Sequence, residues 1–169
     1  VAVLLALARA YARLLREHPG SPQKTIYFVA FGAEEEGLFG SDAFAAMLNG
    51  GNSPSSQLTP GLQGEPIPTD CMPPTGFDGA AVHEGIIMDM VGWPSPNLAC
   101  PTVNLESYEW ATAVVEHLAQ ASRDHNGDAL VVTHNGSPFG SDHMSWLRRR
   151  MPAALLIHGD DEEYPDYHT

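Results

Sequence analysis

Residues 25–31, Thr25-Ile26-Tyr27-Phe28-Val29-Ala30-Phe31, form an unbroken β-branched and aromatic run that flows into Gly32-Ala33-Glu34-Glu35-Glu36-Gly37. A run with no polar alternation predicts a strand buried on both faces, the kind found in parallel sheets covered by helices. Open α/β folds place their ligands at the carboxyl ends of such strands, so the run constrains both the fold class and the address of a site. Neighbouring carboxylates there repel one another unless a cation lies between them, and a divalent metal is the commonest such cation. An acidic first helical turn, favoured by the helix dipole, explains the same glutamates slightly better when they are taken alone.

Two further apolar runs change that balance. Ile86-Ile87-Met88 is closed by Asp89, and Ala153-Ala154-Leu155-Leu156-Ile157 leads through an acidic loop to Tyr167-His168-Thr169. Strand ends thus offer Glu, Asp and His, the hard and borderline donors that suit zinc or a similar divalent ion. A metal site on the edge of a sheet becomes the leading expectation.

These residues carry a resemblance. Ala33-Glu34-Glu35-Glu36-Gly37-Leu38 with Gly40-Ser41, Met88-Asp89-Met90-Val91-Gly92, Gly140-Ser141-Asp142-His143 and Tyr167-His168-Thr169 occur in an order that resembles the zinc-dependent M28 aminopeptidases of the zinc exopeptidase clan. The resemblance spans nearly the whole chain and implies a three-layer αβα sandwich with a mixed, largely parallel central sheet. It implies Glu34 as general base, Glu35 and His168 as ligands of one zinc, and Asp89 as ligand of another. Asp142 and His143 would line the substrate pocket. The oxyanion would be held by the metal, by His143 or by a tail tyrosine such as Tyr164.

The family's His-x-Asp segment and bridging Asp would lie upstream of Val1, so the resemblance implies an N-terminally truncated domain. With too few protein ligands left for a stable zinc site, the chain is expected to bind metal poorly and to be impaired as an enzyme. The substrate implied is a peptide or small protein with a free N-terminus, and family precedent points to an extracellular or secretory compartment. A glutaminyl-cyclase-like acyltransferase, a non-catalytic binding domain on the same scaffold, and a carboxypeptidase-type relative remain as rival readings.

With 169 residues, 43% hydrophobic and 17% charged, the chain can bury one sizeable core, and a single domain over 1–169 is expected. Eight Lys plus Arg against 21 Asp plus Glu give a net charge of -13, which argues against nucleic acid as a partner. The same acidity suits a substrate with a positive end, although it equally serves solubility. Cys71 and Cys100 match no zinc-finger or thiol-nucleophile pattern, and their spacing leaves pairing open.

Val1, Leu4, Leu5, Ala8, Tyr11, Ala12 and Leu15 recur at helical spacing and predict an amphipathic helix that His18-Pro19-Gly20 stops. Arginines interrupt that run, so it is neither a signal peptide nor a transmembrane segment. Residues 49–78 shift to Gly, Pro, Ser, Thr and Gln and read as an irregular insert able to arch over the site. A second amphipathic helix is predicted over 106–121, with Ala111, Val114, Val115, Leu118 and Ala121 facing the core. A short strand follows at 130–133. Ser141 is placed to cap a helix over 141–147, with Arg148, Arg149 and Arg150 at the end that the dipole favours for cations. His158 reads as a strand-end residue and not as a ligand.

Overall fold

The computed structural model describes residues 1–20, 24–49 and 83–167. The insert beyond Asn49, Cys71 and His168 lie outside the described residues. The chain divides into two compact units, Val1–Gly32 and Ala33–Thr169.

In the first unit, helix α1 spans Ala2–Glu17. Leu4, Ala8, Tyr11 and Leu15 are half-buried and recur at helical spacing, whereas Val1, Leu5 and Ala12 of the predicted stripe are exposed, so the buried face is narrower than expected. No residue of α1 is fully buried. Tyr11 meets Phe28 with ring centroids 5.9 Å apart. Residues 25–31 correct an expectation: they are irregular, and Ile26, Tyr27 and Phe28 are 49%, 41% and 37% exposed. Strand propensity reports how side chains suit a pleated surface, and a strand exists only where a neighbour completes its ladder. The described residues of the first unit hold no strand to pair with it.

The second unit is built on four strands. β1 is Gly85–Met88, β2 Thr102–Glu106, β3 Val131–Asn135 and β4 Ala153–His158. Their order is β1-β4-β2-β3. β1 runs parallel to β4, β2 parallel to β3, and β2 antiparallel to β4. The sheet is therefore mixed, as expected. Among the described residues, the helical segments of the unit are α2 over Phe39–Leu48, a 3-10 turn at Glu109–Ala111 continuing into α3 over Thr112–Asn126, a 3-10 turn at Gly127–Ala129, α4 over His143–Leu147, and a 3-10 turn at Asp161–Glu163.

Side-chain alternation assigns the layers. Leu105 of β2 and Ala154 of β4 join Val114 and Val115 of α3 in one core, with Val103, Val132 and Leu156 packed against it. On the other face, a Cβ placed on Gly85 would meet Ala153, Ile87 and Trp146 side chains at 3.1, 3.1 and 3.2 Å. Trp146 belongs to α4, and β4 residues Ala153 and Ala154 point to opposite sides, so α3 and α4 cover opposite faces of the sheet. Every residue of α4 is buried. So short a helix is held by packing and not by intrinsic propensity.

Several element boundaries differ from the sequence expectation. Strand β2 occupies 102–106, where no strand was expected, and the helix predicted from 106 begins at Thr112 and runs to Asn126. Val103 and Leu105 do alternate with Thr102, Asn104 and Glu106, but five residues after Pro101 form a short signal beside a strong helical one. Ala121 is exposed, because the apolar stripe of α3 leaves the sheet after Leu118 and Ala119.

Candidate functional site

Glu34 and Glu35 sit in the tight turn that enters α2. The amides of Gly37 and Leu38 both donate to the Glu34 carbonyl, at 3.0 and 2.9 Å, and the Phe39 amide closes the turn onto the Ala33 carbonyl at 3.0 Å. Ala33 and Leu38 flank the turn with φ values of 57° and 62°. Side chains with a Cβ resist that left-handed region, so the turn holds backbone strain of the kind that concentrates at functional sites. Glu34 is half-buried by this geometry, whereas Glu35 and Glu36 are exposed.

Asp89 follows β1 at the carboxyl end shared with β4. Its amide donates to the Leu156 carbonyl at 3.0 Å, which pins its backbone to the neighbouring strand. The Ser141 hydroxyl donates to Asp89 Oδ2 at 2.9 Å. Ser141 was expected to cap α4; instead Asp142 stands at the N-cap, and no side chain bonds the helix start. A charge-assisted bond to a carboxylate is stronger than one to a neutral amide, so the hydroxyl serves Asp89. Met90, directly after Asp89, is again left-handed, with φ 45°.

Asp142 and His143 stand behind this carboxylate. His143 is 0% exposed, and neither ring nitrogen makes a hydrogen bond of good geometry. Burial lowers its pKa from 6.5 to about 4, with the Asp89 charge and a weak interaction with the Ser141 backbone pulling the other way and Arg148 adding to the depression. The imidazole is therefore neutral at ordinary pH. Burial raises the Asp142 pKa above 3.8, while a hydrogen bond from the Ser41 hydroxyl opposes the rise and the Asp89 charge adds to it.

The charges of both acidic turns are felt at the tail. Desolvation raises the Tyr167 phenol above its ordinary pKa of 10.0, and the charges of Glu35, Asp161, Asp89 and Glu34 push it further. Carboxylates from the turn before α2 and from the end of β1 thus act on one hydroxyl. His168, expected as a ligand, is the next residue and lies outside the described residues. Glu35 and Asp89 are oxygen donors of the kind that zinc accepts. Among the described residues, no three His, Cys, Asp or Glu stand together closely enough to hold a metal ion. The described donors therefore fit zinc in kind without completing a cage.

His158 ends β4, as expected, and alternation turns it to the α3 face, opposite Ile157. It borders a cavity of about 430 Å³ formed with the loop that follows Asp89, including Trp93, Leu98 and Cys100. Its ring meets Trp93 edge-on at 5.0 Å. In the acidic run after it, Asp160 accepts hydrogen bonds from Ser95 and Asn97, which lower its pKa. Cys100 is a free, exposed thiol. Among the described residues, no helix is long and apolar enough to cross a membrane.

Three serines carry more of the site than sequence reasoning assigned them. Besides Ser141 holding Asp89, Ser41 and Ser145 meet inside the unit with their hydroxyl oxygens 2.8 Å apart. The only sequence signal for Ser41 is its place in the Gly40-Ser41 pair after the glutamates. Comparison with known proteins gives one family: the model of peptidase family M28 matches residues 1–169. No curated protein and no solved structure matches the chain.

Proposed function

We propose that this chain, which belongs to peptidase family M28, supplies Glu34 as the general base of a zinc-dependent aminopeptidase. Membership makes the protein a peptidase, a hydrolase acting on peptide substrates. Support for the finer reading comes from the placing of Glu34 and Glu35 in the turn that enters α2 and of Asp89 directly after β1, with the charges of all three bearing on Tyr167, the residue before His168.

Glu35 and His168 would hold one zinc and Asp89 would contribute to a second; zinc when bound acidifies water and polarises a peptide carbonyl. The chain's own residues divide the remaining work. Glu34, half-buried beside its exposed neighbour Glu35, takes the proton of the attacking water and returns it to the leaving amine. Ser141 fixes one oxygen of Asp89 and with it the orientation of the carboxylate. The surplus of acidic residues attracts the ammonium end of a peptide.

The experiment is a pair of substitutions in the active protein. Glu34→Gln should keep its metal and lower turnover by about 10²–10⁴-fold, whereas Glu35→Ala should lose metal together with activity. Metal content and release of the N-terminal residue are measured side by side. Near-normal turnover in Glu34→Gln would remove this residue from the mechanism. Peptides beginning with glutamine, assayed for cyclisation against release, separate a peptidase from an acyltransferase.

A further inference from the structure

We infer that Ser41 and Ser145 are positioning residues that tie the Glu34-Glu35 turn to the turn holding Asp89. The inference rests on the reading that these carboxylates work together. The tie can be followed bond by bond. The Glu34 carbonyl accepts from the Gly37 and Leu38 amides, and the Leu38 carbonyl in turn accepts from the Asp42 amide at 2.8 Å. The Ser41 hydroxyl lies 3.1 Å from that same carbonyl.

From Ser41 the path crosses to α4 through the contact with the Ser145 hydroxyl at 2.8 Å, a step of 104 residues in sequence. The Ser145 amide donates to the Asp142 carbonyl at 3.1 Å, and the Met144 amide to the Ser141 carbonyl at 3.0 Å. The Ser141 hydroxyl then reaches Asp89.

Both serines are 0% exposed, so neither hydroxyl has water as an alternative partner. A buried hydroxyl must find a protein partner, and a pair of facing hydroxyls specifies the spacing of the two helices in a way that apolar contact does not. The same crossing carries a second bond. Arg149 donates to Asp42 at 2.6 Å and to the Ser145 carbonyl at 2.8 Å, with side-chain exposures of 2% and 13% for Arg149 and Asp42. From the first turn of α2, next to the glutamate turn, Ser41 thus binds α4 and Asp42 binds Arg149, two residues beyond the end of α4.

Ser41 also has competing acceptors. Its single proton can serve the Leu38 carbonyl or the Asp142 carboxylate, and the Ser145 hydroxyl can donate back to it. The serine pair is therefore the junction where the two acidic turns are adjusted to one another. Neither serine touches a reacting atom.

Hydrogen exchange of the intact chain and kinetics of the active protein test this together. Ser145→Ala, on α4, should speed exchange at the Gly37, Leu38 and Phe39 amides about tenfold, while the sheet amides of β2 and β3 stay unchanged. It should also lower kcat about 10–100-fold with little change in KM, because the two carboxylate turns lose their common spacing, a loss on the scale of removing a group behind a metal ligand. Ser41→Ala should do the same, and the double variant should lose no more than either single one. Ser41→Cys, which keeps a weak donor, should recover part of the loss and covers the case in which Ser41→Ala fails to fold.

Unchanged exchange at residues 37–39 in Ser145→Ala overturns the inference, as does additivity of the two alanine variants. A parent without peptidase activity would count against the proposed function alone, since the exchange result stands without it.

Discussion

His143 places a neutral imidazole in the interior beside Asp89, Asp142 and Arg148, and its protonation sets a pH dependence of stability. With a folded pKa of about 4 against 6.5 when unfolded, the unfolded chain takes the proton first. The depressed value means that the contribution is fully present above pH 6.5 and is lost as pH falls toward 4. Stability should drop by about 1.4 kcal/mol per pH unit across that window. Asp142 acts in the opposite sense, because its raised pKa restores stability as pH falls toward its unfolded value of 3.8, so the upper part of the window isolates the histidine best. Urea unfolding of His143→Met should lose the slope near pH 6 and be as stable as the parent at pH 8 or more so, since an orphaned polar group is exchanged for an apolar one. A folded-state titration of His143 near 6.5 by NMR would refute the burial argument.

At the level of elements, α2 and α4 are joined by polar contacts set in an apolar contact zone. Phe44 and Trp146 lie with ring centroids 6.1 Å apart, while Ala45 and Ala46 let the helices approach closely. Within that zone the Asp42–Arg149 pair is largely removed from water. Breaking such a pair from one side leaves a charge behind, so Arg149→Met should destabilise the protein by about 3–5 kcal/mol. Adding Asp42→Asn should recover much of the loss, because the stranded charge is then gone. Urea midpoints of the two variants decide the matter, and an Arg149→Met protein within experimental error of the parent would show the pair to be without weight. Arg150, by contrast, lies with its guanidinium 5.4 Å from the centre of the exposed Trp110 ring, and the sequence alone gave no reason to treat these neighbouring arginines differently. Helix-dipole reasoning put 148–150 at a cationic helix end; tertiary contacts, invisible to local pattern, gave Arg149 and Arg150 different partners.

For the molecule as a whole, long apolar signals were legible and pairing was not. The runs at Ile86-Ile87-Met88 and 153–157 became β1 and β4, and the apolar face of α3 was read correctly at Ala111, Val114 and Val115. The run at 25–31 has the strongest strand composition in the chain and forms none, since a ladder is a property of two segments and composition reports on one. Of the candidate site, the carboxylates were legible because each ends a strand or opens a helix. The serines that hold them were not, because a hydroxyl's partner lies far away in sequence. Net charge is the one whole-molecule quantity read without loss, and it carries the last prediction. A body of charge -13 attracts an ammonium over a distance set by the salt, with a screening length of about 30 Å at 0.01 M and about 8 Å at 0.15 M. Under the aminopeptidase reading, kcat/KM for a peptide with a free N-terminus should fall about tenfold between those two salts, with kcat unchanged, because only encounter is steered. Acetylating the peptide's N-terminus removes the cation, so any residual binding of that analogue, measured as competitive inhibition, should be nearly independent of salt. Equal salt dependence for the free and acetylated peptides would mean that the acidic surface serves solubility and has no part in recognising the substrate.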